Sequence, residues 1–148
     1  MIAEKSDSSN PTLIKNNNIT HIINMNPKKI DNYFDREQFE KHTSVYSKAE
    51  REEMLSTDLL GKIRYFNVMN WTEHTISLSI SLSDDLFRFI EEAVQSYSSC
   101  LIVSVTNTCA SVVVACVYLL MKFKWSIQNS IQYIHSRKPN IVITKSVL

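Results

Sequence analysis

The sequence predicts an α/β domain: a central, mostly parallel, twisted sheet of about four to five strands, flanked by helices. The first observation is that short apolar runs alternate with helical patterns along the chain, which is typical of parallel sheets crossed by helices. The second is residues 100–105 (CLIVSV), a continuous apolar run typical of a strand buried on both faces. The third is the apolar helical segment 111–123 that follows this run directly, as a covering helix does.

In the first half of the chain the patterns predict two helices and two strands. Capping side chains followed by a proline begin a short helix, and asparagines end it because asparagine tolerates the left-handed conformation. Residues 28–45 are polar and weakly patterned, so no element is assigned there. The predicted elements are a helix between residues 8–11 (SSNP) and 16–18 (NNN), a strand at 19–25 (ITHIINM), a helix at 46–60 ended by Gly61, and a strand at 63–69.

In the second half, residues 76–83 (ISLSISLS) alternate strictly and predict a half-buried strand. Ser83, Asp84 and Asp85 are expected to cap an amphipathic helix that follows it. The strand at 100–105 and the helix at 111–123 come next. Ser126 then predicts the start of a last helix, which carries isoleucines at 127, 131 and 134 and ends before Pro139.

The composition bounds the function classes. We interpret residues 1–148 as a single domain, and a formal net charge of +1 predicts no general attraction to nucleic acid or to a membrane surface. The longest apolar stretch, residues 112–121, is about half of the ~20 residues that a membrane span needs. Because there is only one glycine, Gly61, no glycine-rich phosphate loop can be written. We therefore predict no cofactor, no nucleic-acid partner and no membrane partner.

The three cysteines, Cys100, Cys109 and Cys116, have no CxxC or Cys/His spacing. They are expected to be reduced, which favours a cytoplasmic protein without a disulfide frame or a metal site.

Several segments resemble one known family when they are taken in order. Residues 18–25 (NITHIINM), 65–68 (YFNV), 101–111 (LIVSVTNTCAS), 117–126 (VYLLMKFKWS) and 133–139 (YIHSRKP) are similar to successive segments of the dual-specificity branch of the cysteine phosphatases. The resemblance covers nearly the whole chain. It begins just inside the usual first strand of the family, which is therefore expected to be truncated or divergent.

In that family a cysteinyl-phosphate forms on a loop with the pattern HCxxGxxRS, and the resemblance assigns each loop position here. Val103 replaces the histidine and Ser104 the nucleophilic cysteine, while Asn107 replaces the glycine and Ala110 the phosphate-binding arginine. Only the final hydroxyl, Ser111, is retained. A serine without an adjacent base is a weak nucleophile, and alanine has neither a donor nor a charge for phosphate. No cysteine of the chain has an arginine six residues later, so no other register restores the motif.

The resemblance implies that the general acid, an aspartate in the family, is replaced by Thr72. The catalytic positions are thus vacant, and we expect a pseudophosphatase that acts as a protein-binding, scaffold or assembly module. Its partner is expected to be another protein, including as a subunit of a larger complex, in the cytoplasm or alternatively at the cytoskeleton or cilium. The alternative is a weak or altered phosphoester hydrolase that uses Glu73, His74 and Ser104.

Two interpretations of the loop hydroxyls remain open at this stage. Thr106, Thr108 and Ser111 either bind an anion weakly at the helix start or satisfy one another's hydrogen bonds. Trp71, beside the general-acid position, is a candidate partner contact, and a role in the core or as a lid is the alternative.

Overall fold

A computed structural model describes residues 1–25, 32–41, 47–68, 80–104 and 108–137. The described chain contains four strands, six α-helices and a 3-10 helix. In chain order they are β1 (Ile2–Glu4), the 3-10 helix Lys5–Ser9, α1 (Pro11–Asn16), β2 (Ile19–Met25), α2 (Arg36–Lys41), α3 (Lys48–Ser56), β3 (Arg64–Asn67), α4 (Ile80–Gln95), β4 (Ser99–Ser104), α5 (Thr108–Phe123) and α6 (Ile127–Arg137).

The strands form one sheet in the order β1-β4-β2-β3, and every pairing is parallel. This confirms the predicted α/β class with its parallel sheet and flanking helices. The sequence analysis assigned no strand before residues 19–25, and the structure adds β1, a three-residue strand that pairs with β4 at one edge of the sheet. The central strands β2 and β4 are buried along almost their whole length, as the apolar run CLIVSV predicts for a strand covered on both faces.

Alternate residues of the central strands supply two separate cores. Ile23 and Ile102 point toward α4 and α5, and we call this side the α4/α5 core. Ile22 and Leu101 point to the opposite side, where they pack with Ile14 of α1; we call this side the α1 core. Because successive side chains of a strand face opposite sides, this division follows from the apolar residues that β2 and β4 carry on both faces.

Helix α5 is apolar around its whole circumference because it is covered on two sides. Ala110 and Val114 pack in the α4/α5 core. Val112, Cys116 and Leu119 form a third cluster with Ile134 of α6. A helix with two packed faces needs no polar stripe, which explains the apolar segment that the sequence showed here.

Local signals placed several helix boundaries correctly. Asn10 caps α1 by accepting the Thr12 and Leu13 amides, and the asparagines after Lys15 end that helix. The Ser126 side chain accepts the Asn129 amide at the start of α6, as predicted. Helix α2 was not predicted, because its six residues include a single apolar side chain, Phe39, and so carry no apolar period.

The predicted strand at 76–83 is wrong for residues 80–83, which are the first turn of α4; residues 76–79 lie outside the described part of the chain. The physical reason is that Leu82 is in helical register with the apolar face that follows. Leu82 packs against the same α4/α5 core as Leu86, Phe89 and Ala93. Ser83–Asp85 consequently lie inside the helix instead of capping it.

Candidate functional site

The predicted site lies at the carboxyl end of β4, where the chain turns into α5. Ser104 is the last residue of β4 and is paired with Glu4 of β1 on one side and Met25 of β2 on the other. Helix α5 begins four residues later, at Thr108. In parallel sheets this edge is where ligand sites form, because the loop runs directly into a helix N-terminus. Asn107 and Thr106 fall between the two elements, in residues outside the described ranges.

Val103 and Ser104 are both buried at this strand end. Val103 packs in the α1 core with Ile22 and Phe34, so its side chain serves as a core residue. Ser104 is 3% exposed. Its backbone stands between two hydrogen-bonded neighbours, in the register given above.

Ala110 and Ser111 lie in the first turn of α5 and are the most enclosed residues of the site. Ala110 is 1% exposed and packs in the α4/α5 core with Met25, Val68 and Leu86. Ser111 is completely buried, and its hydroxyl has no hydrogen-bond partner within the described part of the chain. The side chain of Thr108 is not among those that the structure describes.

The strand that leads to the predicted general-acid segment ends at the same edge of the sheet. Asn67, the last residue of β3, is paired with Asn24 of β2, and the Val68 amide donates to the Asn24 carbonyl at 3.0 Å. The side chains of Trp71, Thr72, Glu73 and His74 belong to residues 69–79, outside the described ranges. Their assignment stays a prediction.

An amide pair near this edge was missed by the sequence analysis. The side-chain amide of Asn24 donates to the Asn32 side-chain oxygen at 3.1 Å, and both residues are buried. Asn24 lies opposite Val103 in the sheet, one residue from the end of β2. The available signal was Asn24 itself, a polar residue in a strand that the sequence predicts to be buried, since a buried amide needs a hydrogen-bond partner.

The two cysteines whose side chains are described lack the chemistry of a nucleophile. Burial raises the pKa of Cys100 to about 12 and that of Cys116 to about 11. Because the thiolate is the reactive form of cysteine, both thiols are unreactive at neutral pH. The structure does not describe the side chain of Cys109.

Solved structures resemble this fold over almost its entire length. Human DUSP28 superposes with a TM-score of 0.70 at 13% sequence identity, covering 99% of this chain and 85% of that one. A mouse putative dual-specificity phosphatase, solved with zinc tungstate, superposes with a TM-score of 0.69 at 14% identity, covering 99% and 75%. The chain has the fold of a dual-specificity phosphatase.

The same dual-specificity phosphatase-like fold is shared with a protein described as phosphatase-like. The human tyrosine phosphatase-like serine/threonine/tyrosine-interacting protein superposes with a TM-score of 0.61 at 13% identity, covering 92% of this chain and 76% of that one. No protein-family model matches the sequence, and a search of curated proteins finds no sequence match.

Two general features of the described chain complete the site description. Its histidines, cysteines and carboxylates, where described, form no group of three placed to hold a metal ion. None of its described helices combines the length and the apolar character that crossing a membrane requires.

Proposed function

We propose that this chain is a pseudophosphatase: a dual-specificity phosphatase-like domain that has lost catalysis and acts by binding another protein. The partner is a protein and not a nucleic acid or a membrane, and the domain serves as a scaffold or as a subunit of a larger complex. We place it in the cytoplasm, with the cytoskeleton or a cilium as the alternative.

The observation that carries the proposal is the environment of Ala110. The resemblance puts the phosphate-binding arginine at this position. The methyl group here is enclosed by apolar side chains of the α4/α5 core. A guanidinium that binds phosphate contributes a bidentate contact and stabilises the negative charge of the transition state. A position committed to apolar packing contributes neither.

The nucleophile supports the same proposal. The resemblance aligns Ser104 with the cysteine whose thiolate attacks phosphorus. A serine hydroxyl is almost entirely protonated at neutral pH and needs a neighbouring base to attack. Cys100 and Cys116 cannot take over this role, because burial holds the pKa of both thiols far above neutral.

Turnover of p-nitrophenyl phosphate by the purified chain tests the loss of catalysis. We expect no turnover above the uncatalysed rate at any pH between about 5 and 8, the range in which histidine and cysteine bases operate. Turnover that is lost in Ser104→Ala, Glu73→Gln or His74→Gln contradicts the proposal and supports the altered hydrolase. Ser47→Ala, at the exposed start of α3, is the control for a serine substitution, with circular dichroism as the check of folding because Ser47 caps that helix.

Anion binding by the loop is tested separately by thermal unfolding with orthophosphate or tungstate. A ligand at about one hundred times its dissociation constant stabilises a folded protein by about 2.7 kcal/mol. We expect no increase in melting temperature, since Ala110 supplies no cation. An increase in melting temperature that disappears in Ser111→Ala would mean that the loop still binds anions through its hydroxyls.

The binding function is tested by proximity labelling with matched surface variants. Trp71→Ala, Thr106→Ala and Thr108→Ala change positions that the resemblance assigns to the general-acid segment and the catalytic loop of the family. Tyr97→Ala changes an exposed aromatic residue at the opposite end of β4. We expect the first three variants to label fewer partner proteins than the parent, and Tyr97→Ala to label the same ones. If all four variants lose labelled partners equally, or if none does, the interface lies elsewhere.

A further inference from the structure

A cavity of about 600 Å³ lies between β1, the start of β4 and helices α4, α5 and α6. The described positions of the predicted loop, Val103, Ser104, Ala110 and Ser111, are not among its lining residues. The lining residues nearest to them in sequence are Ile102, two residues before Ser104, and Ala115, four residues after Ser111. The rise along the strand and the helix makes these separations about 7 Å and about 6 Å. The cavity therefore adjoins the site considered above without containing any of its described residues.

The walls of the cavity are predominantly aliphatic. Its lining includes Ile90 and Val94 of α4, Ala115 and Leu119 of α5, and Ile102 of β4. The volume falls in the range of about 300–1,000 Å³ that is usual for small-molecule sites. Such walls gain free energy by enclosing a hydrocarbon and offer few groups to a polar ligand.

One charged side chain lines the cavity in the part of the chain that the structure describes. Arg137, at the end of α6, lies with its guanidinium carbon 5.4 Å from the centre of the Tyr133 ring, and both residues line the cavity. No described lining residue is acidic. The nearby Glu91 carboxylate accepts hydrogen bonds from Tyr118 and Lys122, at 2.7 and 2.6 Å, so its charge is already matched.

We propose that this cavity binds a small anionic amphiphile, a free alkyl carboxylate whose chain fills the aliphatic space while its carboxylate pairs with Arg137. The aliphatic walls select the hydrocarbon. The planar guanidinium selects a carboxylate, because its donors match the two carboxylate oxygens. The contact with the Tyr133 ring holds that guanidinium beside the cavity, so the Arg137 side chain loses little conformational entropy when a ligand binds.

The test uses the full chain, with decanoate and decan-1-ol as probes that share an alkyl chain and differ in charge. Isothermal titration is expected to give one decanoate site per chain. Arg137→Gln should weaken decanoate binding about tenfold and leave decan-1-ol binding unchanged, because only the carboxylate uses the guanidinium. Arg88→Gln, an exposed arginine of α4 outside the cavity lining, is the matched control and should behave as the parent.

Two further variants separate the cavity from the protein surface. Ala115→Phe fills the cavity and should weaken both probes at least about tenfold, with circular dichroism as the check of folding. If Ala115→Phe does not fold, Val94→Glu is used in its place as the cavity variant. Val94 is 42% exposed at the cavity, so an acid is tolerated there and should repel decanoate more than decan-1-ol.

Several outcomes overturn the proposal. These are the absence of saturable decanoate binding, equal binding to the parent and both cavity variants, and equal loss of decanoate and decan-1-ol in Arg137→Gln. If sedimentation shows that the parent is a dimer and that Val94→Glu is a monomer, a second copy of this chain occupies the cavity instead. None of these results depends on phosphatase activity, so the proposed function stands or fails separately.

Discussion

His21 is a titratable side chain enclosed between the sheet and α4. Its ring lies edge-on to Phe89, with centroids 4.9 Å apart, and its Nδ1 is 2.7 Å from the Thr20 hydroxyl. Nε2 is 3.7 Å from a Glu92 carboxylate oxygen, too far for a hydrogen bond, and Arg64 pairs with the same carboxylate group. Burial, followed by the positive charge of Arg64, holds the pKa of His21 below its usual value of 6.5.

This lowered pKa makes stability depend on pH in one direction. Above the unfolded pKa near 6.5 the imidazole is neutral in both states and the native state has its full stability. As pH falls through that value the unfolded chain binds a proton that the native chain resists, so stability decreases. We expect His21→Phe, measured by urea unfolding between about pH 5 and 7, to have a smaller loss of stability on acidification.

The control for this prediction is His135→Phe, at an exposed position of α6. It removes one histidine elsewhere in the chain, and its pH slope is compared with that of His21→Phe. An unchanged pH slope in His21→Phe would mean that another group dominates the titration.

Ala110 gives a second prediction at the scale of one residue. Ala110→Arg restores the family residue in sequence but puts a large cation into the α4/α5 core. We expect it to lower the free energy of unfolding by about 3 kcal/mol or more, because the described side chains that enclose this position are apolar and already fill the space around it. Ala49→Arg, at an exposed position of α3, should change it by less than about 0.5 kcal/mol. Urea unfolding measures both, and a well-tolerated Ala110→Arg would mean that this position opens to the loop.

At the scale of elements, apolar periodicity in the sequence predicted several of the strands and helices whose apolar faces form the cores. The strand 19–25 is found with those bounds, and Ser126 begins α6 as its cap. The prediction failed where two periods coincide. Residues 80–83 alternate as a strand does, yet Leu82 and Leu86 are also one helical turn apart, and contact with the α4/α5 core selects the helix. Helix α2 shows the opposite case, because a short, mostly polar helix has no period to read.

The end of α4 carries a prediction of its own. The Ser98 amide donates to the Ala93 carbonyl and the Tyr97 amide to the Val94 carbonyl, which is the hydrogen-bond pattern of a Schellman cap. Tyr97 closes it at φ +57°, a conformation that favours glycine, and its side chain is 94% exposed. Tyr97→Gly is expected to raise the free energy of unfolding by about 1 kcal/mol, as measured by urea unfolding.

Tyr97→Ala distinguishes the backbone from the side chain in this experiment. Alanine keeps the Cβ that makes the left-handed conformation costly, so it should give little or none of the gain. Equal stabilisation by alanine and glycine would assign the effect to the exposed ring instead of the backbone.

At the scale of the whole molecule, the sequence predicted the fold class more completely than the site. Buried strands and their covering helices follow from composition and order alone, because apolar area must be enclosed. The loop positions required a family resemblance, since Val103, Ala110 and Ser111 have no local pattern that marks a site. What no pattern supplied was the enclosure of Ala110 and Ser111 and the pairing of Asn24 with Asn32, which depend on residues distant in sequence.

The sheet couples its two cores, and this leads to a prediction for the whole domain. Ile22 and Ile23 are neighbours in β2, both fully buried, with one in the α1 core and the other in the α4/α5 core. Each substitution by alanine removes the same number of carbons, and each should lower the free energy of unfolding by about 2–5 kcal/mol. Because β2 and β4 are shared by both cores, either variant should weaken the entire domain in one transition.

Urea unfolding followed by circular dichroism and by tryptophan fluorescence tests this coupling. Both proteins, the parent and Ile22→Ala, are measured in a Trp71→Phe background, so that Trp125 alone reports on the α6 side, where its ring packs against Phe123 and Tyr133 with centroids 5.2 and 5.3 Å away. The two signals should have coincident midpoints in the parent and should shift together in Ile22→Ala, although that residue is in the α1 core. If Ile22→Ala shifts only the circular dichroism signal, the two sides of the sheet unfold as separate units.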